Sequence, residues 1–199
     1  MIADARPRCW WPDVNAGADR AGADGLMIAY HDEEWGVPIS DDHELFERLA
    51  LESFQAGLAW VTILRKREAF RSAFGGFDPA LVARYGDSDR ARLLADAGIV
   101  RNRAKIEATI GNAAAFLAVA ASHGSFASYL AGQLPRRAPI LPATAVSGDI
   151  PSSTAESDAL SADLKKRGFR FIGSTIVYAF MQSVGLVDDH LPCCFRYRG

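Results

Sequence analysis

Cysteines and long apolar runs are both scarce in this sequence. Its 199 residues include three cysteines. An odd and small number argues against a secreted disulfide scaffold and favours a reducing compartment or a metal site. No stretch approaches the ~18–20 apolar residues of a membrane span, and segment 1–11 lacks the apolar run of a signal peptide. We therefore expect a cytoplasmic protein with no membrane contact.

An excess of charge of one sign is also missing. The chain has 22 Lys and Arg residues against 24 Asp and Glu residues, for a net charge of −2. Composition therefore gives no general argument for nucleic-acid binding. Basic residues are nevertheless clustered, as in Arg65–Arg67 and Arg101–Lys105. A local basic face can bind phosphates on a slightly acidic protein, although such runs are more often solvated helix ends.

Strand-like alternation and internal repeats are absent as well. Apolar residues recur near the 3.6-residue period of a helix instead, and the 49% hydrophobic content suffices for a sizeable core. These patterns predict a mainly α fold, as one domain or two small lobes that share a core. Ser153 and Glu156 have the spacing of a capping box at a helix start. The longest predicted helices lie at about 40–56, 58–73, 102–122, 153–167 and 171–184.

Segment 96–106, DAGIVRNRAKI, is a tight link between two predicted helices and has the form of a helix-hairpin-helix. The turn at Gly98 is expected to expose backbone N–H groups near the start of the second helix, where a phosphate can bind. Arg101, Arg103 and Lys105 add positive charge at the same place. An ordinary interhelical turn is the alternative that the spacing leaves open.

Candidate metal ligands lie near both ends of the chain: Cys9, His31, His190 and Cys194. Cysteine and histidine are preferred zinc ligands, and a site with four protein ligands is structural because it has no open position. Residues so far apart in sequence form no motif, so buried thiols with unrelated histidines remain the alternative. Cys193 is a possible substitute for Cys194.

Segment 51–70, LESFQAGLAWVTILRKREAF, contains features that packing alone does not require. Glu52 lies among apolar residues, where a carboxylate needs a hydrogen-bond partner or a functional reason. The alternative is a buried glutamate paired with Arg48 or with a backbone group. The pair Gly57-Leu58 interrupts the helical pattern, and Trp60 follows it. Other aromatic residues that could join Glu52 in a site are Trp11, Tyr30 and Trp35.

Long segments of the chain resemble the DNA-3-methyladenine glycosylase I family of bacterial base-excision repair enzymes, almost from end to end. Matches of this length with rare residues in register are highly specific. The segments that carry the resemblance are Arg8-Cys9, AYHDEEWGVP at 29–38, LESFQAGLAWVTILRKRE at 51–68, DAGIVRNRAKI at 96–106 and IPSSTAESDALSADLKKRGFRFIGSTIVYAFMQSVGLVDDH at 150–190.

The resemblance implies a helix-hairpin-helix glycosylase fold with one structural zinc ion that joins the chain termini. It implies a zinc-containing lobe at about 1–40 plus 135–199 and a helix-hairpin-helix lobe at about 41–134. By position, the family's zinc ligands match Cys9, His31, His190 and Cys194, and its base pocket matches Trp11, Tyr30, Glu52 and Trp60. Gly57-Leu58 matches a plug that enters the gap left by a flipped base, and the turn around Gly98 matches the DNA-backbone anchor.

The activity that the resemblance implies is the release of 3-methyladenine from alkylated double-stranded DNA by a monomeric enzyme. Segment 111–124 contains no Asp, Glu or Lys, so neither a catalytic carboxylate after the hairpin nor a Schiff-base nucleophile of a lyase is expected. The alternative is a non-catalytic, zinc-stabilised helical module that binds DNA lesions. A Gly/Ala/Asp-rich insertion at 15–25 departs from the family pattern.

Overall fold

The computed structural model describes residues 6–14, 20–134 and 140–199. The predicted insertion at 15–25 lies in part outside these ranges. Within them the secondary structure is helical, with one isolated β-bridge between Ile140 and Asp188 and no strand, so the prediction of a mainly α fold is confirmed. The α-helices are α1 Trp11–Val14, α2 Arg20–Ala29, α3 Asp42–Gln55, α4 Trp60–Ala73, α5 Pro79–Val82, α6 Asp87–Ala95, α7 Arg103–His123, α8 Phe126–Gln133, α9 Ala155–Lys166 and α10 Ser174–Ser183.

Polar side chains set the starts of several helices. The Asp41 carboxylate accepts a hydrogen bond from the backbone N–H of Glu44 at 3.0 Å, which caps α3. The capping box of α9 differs from the expected pair of Ser153 and Glu156. Because α9 begins at Ala155, the box pairs Thr154 with Ser157, whose hydroxyl accepts from the Thr154 N–H at 2.9 Å.

The buried apolar residues form two clusters. The larger cluster combines residues of α3 to α8 with residues of α9 and α10, so helices of both expected lobes share one core. The smaller cluster contains Met27, Trp35 and Leu191 beside Val61 and Leu64 of α4. The two ends of the described chain meet next to it, where the backbone N–H of Phe195 donates to the carbonyl of Pro7 at 2.9 Å.

The longest helix, α7, is long and apolar enough to cross a membrane by length and composition, which the search for apolar runs did not indicate. Half of that stretch is buried inside the protein. It packs against α3, α5, α6 and α8. This is the environment of a core helix in a folded domain.

Candidate active site and metal-ligand cluster

A cavity of about 350 Å³ lies where α1, α3, α4 and α10 approach one another. Its volume is in the range of sites for small organic ligands. All four residues predicted for a base pocket line this cavity, and most of the remaining wall is apolar or amide-bearing. The lining residues are Trp10, Trp11, Met27, Tyr30, Trp35, Glu52, Gln55, Trp60, Ser147, Ile150, Ala179 and Gln182.

Local structure places the aromatic walls. A π-helical turn, Tyr30–Glu34, follows α2; such turns are rare and occur mainly at functional sites. The Tyr30 ring lies 5.2 Å from the Trp60 ring and 6.2 Å from the Trp11 ring, measured between centroids. Three electron-rich rings therefore surround one side of the cavity.

Glu52 brings a carboxyl group to this cavity from the buried face of α3. It is 5% exposed and makes no hydrogen bond within the described part of the chain. Burial raises its pKa from 4.5 to about 8, against the opposing field of Arg48. At neutral pH Glu52 is therefore mainly a neutral carboxylic acid, which can ionise when a cation binds beside it.

Arg48 does not pair with Glu52. Such a pair was the alternative to a functional role for Glu52. The Arg48 guanidinium hydrogen-bonds to Glu34 and lies 5.5 Å from the centre of the Tyr30 ring. Arg67 also donates to Glu34, at 2.7 Å. Burial opposes ionisation of Glu34, but the two arginines outweigh this effect and lower its pKa. The two arginines and Glu34 form an ion-pair network that supports the Tyr30 wall from behind.

Gln182 adds an oriented amide to the cavity. Its Nε2 donates to Asp189 Oδ2 at 2.6 Å, and the hydroxyl of Tyr178 donates to the same oxygen at 2.6 Å. An ionised carboxylate only accepts hydrogen bonds, so the amide nitrogen of Gln182 faces Asp189. The amide oxygen is then the group of Gln182 that is left to accept from a ligand.

The four predicted metal ligands converge on one point. The ligand atoms of Cys9, His31, His190 and Cys194 lie within 4.8 Å of one another, and all four residues are buried. Cys194 Sγ lies 3.4 Å from His31 Nε2 and 3.6 Å from His190 Nδ1. Cys193 is exposed and outside this cluster, so the structure favours Cys194 over its neighbour as a ligand.

Surrounding groups orient the ligands in the way that metal sites require. His31 Nδ1 lies 2.8 Å from Asp32 Oδ1, which leaves Nε2 for the centre of the cluster. His190 Nε2 lies 3.3 Å from the carbonyl oxygen of Trp35, which leaves Nδ1. Backbone N–H groups of Leu191 and Arg196 donate to the sulfur atoms of Cys9 and Cys194, each at 3.4 Å.

The electrostatics of the cluster fit a bound cation. Burial lowers the pKa of both histidines, that of His190 to about 4, so both imidazoles are neutral and can donate a lone pair. Burial also raises the pKa of Cys9 to about 12. A thiolate at this position needs a nearby positive charge, which a divalent metal would supply.

The predicted plug, Gly57-Leu58, forms a tight exposed turn between α3 and α4. Gly57 has φ +80, a conformation that favours glycine. The turn is closed by the Leu58 N–H, which donates to the Gln55 carbonyl at 2.7 Å, and by Gln55 Nε2, which donates back to the Leu58 carbonyl at 2.8 Å. The apolar side chain of Leu58 is 37% exposed. We refer to this pair as the wedge turn.

The predicted hairpin lies between α6 and α7, with Arg101 and Arg103 exposed at its tip. The N–H of Gly98 is not available to a phosphate, because it donates to Asp96 Oδ1 at 2.7 Å. Within the described ranges no hydrogen bond uses the N–H groups of Val100 and Arg101. In this turn the backbone N–H groups without a hydrogen bond to described residues are therefore those of Val100 and Arg101, two and three residues after Gly98.

Lys105 differs from the expectation that it adds charge to this surface. It is 6% exposed, and its ammonium donates to the carbonyls of Phe54 and Ala56 at 2.8 and 2.7 Å. The side chain points into the protein because it caps the end of α3. This position does not present its charge to DNA.

Comparison with known proteins agrees with this geometry. The family model described as methyladenine glycosylase matches residues 20–197. DNA-3-methyladenine glycosylase 1 of Escherichia coli strain K12 is 47% identical over 192 residues, which is 96% of this chain and 97% of that protein. The chain belongs to the methyladenine glycosylase family.

Solved structures support membership of the methyladenine glycosylase family. A crystal structure of 3-methyladenine DNA glycosylase I has a TM-score of 0.86 at 46% identity and covers 96% of this chain and 100% of that chain. A structure described as the basis of 3-methyladenine recognition in the Staphylococcus aureus enzyme has a TM-score of 0.83 at 37% identity, over 87% of this chain and 92% of that chain. The family and enzyme class expected from the sequence are confirmed.

Part of the site of this methyladenine glycosylase was not predicted from the sequence. Gln182 lies in an apolar helix and gave no signal; the acidic pair Asp188-Asp189 in the C-terminal tail is the feature that could have suggested a polar partner. Glu34 was not singled out in the sequence, and Arg67 belongs to the basic run Arg65–Arg67, for which a solvated helix end was the alternative. Their pairing depends on the packing of the π-helical turn against α3 and α4, which sequence spacing does not reveal.

Proposed function

We propose that this protein flips N3-methylated adenine out of alkylated double-stranded DNA and hydrolyses its N-glycosidic bond, which leaves an abasic site. Family membership supports the reaction, and one observation of the structure carries it. The buried carboxyl group of Glu52, which has no hydrogen-bond partner among the described residues, lies in an aromatic cavity large enough for a purine base. A base stacked in duplex DNA cannot reach such a cavity unless it is extruded.

The cavity is suited to a cationic base. Methylation at N3 gives adenine a positive charge, and a cation between electron-rich rings gains cation–π attraction in addition to stacking. The cation also favours ionisation of Glu52, whose carboxylate then accepts hydrogen bonds from the adenine edge. A neutral, undamaged adenine gains neither the cation–π attraction nor the interaction with an ionised Glu52. It would also need to displace water from the protonated acid. Recognition of charge therefore provides the discrimination against normal DNA.

The hydrolysis needs little acid catalysis. The bond between C1′ and N9 breaks with its electron pair moving to the base, which neutralises the positive ring. Water adds to C1′ and loses a proton, so the products are an abasic sugar and neutral 3-methyladenine. Once the charge is gone, the attraction to Glu52 and to the rings of Tyr30 and Trp60 weakens, which assists release of the product.

The proposed metal is one structural zinc ion held by Cys9, His31, His190 and Cys194. Two thiolates and two neutral imidazoles make a complete tetrahedral donor set, with no position left for water or substrate. The ion would cross-link the two ends of the chain and would take no part in catalysis. Its ligands come from both ends of the chain, and Trp11 packs against His31 at 5.2 Å between ring centroids. The zinc site therefore holds one wall of the base pocket.

The proposed DNA-binding face uses the helix-hairpin-helix and the wedge turn. Arg101, Arg103 and the free N–H groups before α7 would bind the backbone, and Leu58 would fill the space left by the flipped base. Both features are exposed, and the wedge turn joins α3 and α4, which carry Glu52 and Trp60 of the pocket. Gly98 shapes the hairpin: a Cβ there would lie 2.9 Å from Asp96 Oδ1 and 3.0 Å from Ala69 Cβ.

Loss of the wedge side chain should slow excision from duplex DNA. We expect Leu58→Ala to lower the single-turnover rate on a duplex about tenfold, because the unstacked state loses the apolar contact that stabilises it. The affinity for free 3-methyladenine should not change. Leu26→Ala, at an apolar residue that is 40% exposed on α2, is the control. An equal rate for wild type and Leu58→Ala would contradict the role.

Removal of the hairpin charges should weaken DNA binding to the same extent on every DNA sequence. We expect Arg101→Ala and Arg103→Ala each to lower duplex affinity and to reduce the slope of log K against log salt concentration by about 1. Fluorescence anisotropy of a labelled duplex at several salt concentrations measures both values. An unchanged slope would mean that the hairpin is only structural.

The proposed activity is tested with a methylated, end-labelled duplex. We expect the protein to generate abasic sites that are cut by alkali and are stable without it, as a glycosylase without lyase activity requires. Tight binding to the lesion with no alkali-sensitive sites would instead indicate a non-catalytic lesion-binding module. Cutting without alkali would contradict the monofunctional mechanism.

A further inference from the structure

The buried ammonium of Lys105 joins two parts of the molecule that contact DNA in the proposed function. Lys105 lies in the first turn of α7, directly after the hairpin. Its two acceptors, the carbonyls of Phe54 and Ala56, belong to the last turn of α3. Carbonyls at a helix end have no partner within the helix, and a positive charge suits that end of the helix dipole. The next two residues along the chain are the wedge turn.

A second lysine makes the reverse connection. Lys66 lies on α4, the helix that begins with Trp60 of the pocket. Its ammonium donates to the carbonyls of Ala97 and Gly98, both at 3.0 Å, in the turn of the hairpin. Lys105, which follows the hairpin, therefore binds the backbone just before the wedge turn. Lys66, on the helix after the wedge turn, binds the backbone of the hairpin.

Stability alone is a poor reason for this arrangement. Burial disfavours the charged form of Lys105 and lowers its pKa, so the cost of burying the ammonium offsets part of what its two hydrogen bonds contribute. The ammonium instead fixes the position of the backbone at the end of α3. It fixes two carbonyls on either side of Gln55, the residue whose own side chain closes the wedge turn.

We propose that Lys105 is a positioning residue that, together with Lys66, holds the wedge turn in register with the hairpin. DNA bound by the hairpin then meets Leu58 at the correct step. Lys105 contacts neither base nor phosphate and acts through the backbone of residues 54–58. This inference rests on the proposed function.

The inference is tested by separating binding from the later steps of excision on duplex DNA. Lys105→Met keeps the length of the side chain and removes its charge and hydrogen bonds. We expect kcat to fall about 10- to 100-fold, since small displacements of positioning elements have effects of this size. The KM should stay within about threefold, because the hairpin that binds DNA is intact. Lys105→Arg, which retains the charge and donors, should recover most of the loss.

Two further readouts exclude a merely structural role. The affinity for free 3-methyladenine, from quenching of tryptophan fluorescence, should stay within about twofold of wild type, because the base pocket alone binds it. Lys165→Met, at an exposed lysine on α9, is the control for loss of a charge. Arg101→Ala should show the opposite pattern, with a higher KM and a retained kcat.

An unchanged kcat in folded Lys105→Met would overturn the inference, as would a loss of kcat matched by an equal loss of free-base affinity. If Lys105→Met does not fold, the same measurements on Lys66→Met decide, with the same expected pattern. Release of 3-methyladenine by the wild-type protein tests the proposed function separately, because only the ratio of variant to wild type reports on Lys105.

Discussion

Replacement of Glu52 by glutamine should reduce release of 3-methyladenine at least about 100-fold, the usual cost of deleting one preorganised group that stabilises charge in an active site. Glutamine keeps the shape of the side chain and loses its ability to ionise. The cationic base then meets only the aromatic rings, and no carboxylate complements its charge. Single-turnover excision from methylated duplex DNA measures the effect, and free-base binding shows whether the pocket remains open.

The same substitution should make the protein more stable at alkaline pH. The pKa of Glu52 is raised from 4.5 to about 8 in the folded protein. The folded state therefore holds a proton that the unfolded state releases, and stability falls as pH rises from about 4.5 to about 8. Glutamine does not titrate. We expect Glu52→Gln to melt roughly 5–10 °C above wild type at pH 8, with the difference disappearing near pH 5.

Glu47→Gln is the matched control. Glu47 is also buried on α3, at 7% exposure, but it forms an ion pair with Arg71 at 2.8 Å and does not line the base pocket. Its substitution should retain excision and should not stabilise the protein. A Glu52→Gln variant that excises normally, or that melts below wild type at pH 8, would remove the buried carboxyl group from the account.

Loss of one cluster cysteine should have the largest effect on folding. We expect wild-type protein to contain about one zinc ion per chain, and Cys194→Ser to lose it. Because the four ligands connect the N- and C-terminal segments, metal loss should lower the melting temperature by about 10 °C or more. Elemental analysis and thermal melting measure the two results, and a chelator should reproduce the melting shift in wild type.

Cys193→Ser is the control, since this neighbouring cysteine is exposed. It should keep the zinc ion and the wild-type melting temperature. If Cys194→Ser keeps its metal while Cys193→Ser loses it, the ligand assignment is wrong. A fully folded wild-type protein without metal would contradict the site as a whole.

Much of the site was predictable because its residues lie in long segments that resemble one enzyme family. Trp11, Tyr30, Glu52 and Trp60 are scattered in sequence, and no spacing rule joins them. Spacing alone gave even less support to the predicted zinc ligands, and the choice between Cys193 and Cys194 could be made only from the three-dimensional structure. The start of α9 was predicted more closely, since capping is local; the expected box of Ser153 and Glu156 forms one residue later, between Thr154 and Ser157.

What the sequence could not reveal depends on burial. Lys105 belongs to a basic run, and a solvent-exposed charge was the natural interpretation. Only the packing of α7 against the end of α3 turns its side chain inward to the carbonyls of Phe54 and Ala56. In the same way, pairing of Glu52 with Arg48 was the alternative that the sequence left open. The π-helical turn instead brings Glu34 to Arg48, and Glu52 is left without a hydrogen bond to any described residue, which is what the proposed chemistry requires.

The most direct measurement is the identity of the base that the protein releases from methylated duplex DNA. Chromatography with mass detection, against synthetic 3-methyladenine, should find that base in the soluble fraction with wild type and with Glu47→Gln. It should be nearly absent with Glu52→Gln. Folded, zinc-containing wild-type protein that releases no 3-methyladenine, or a Glu52→Gln variant that releases it at the wild-type rate, would contradict recognition of a cationic base by a buried carboxylate.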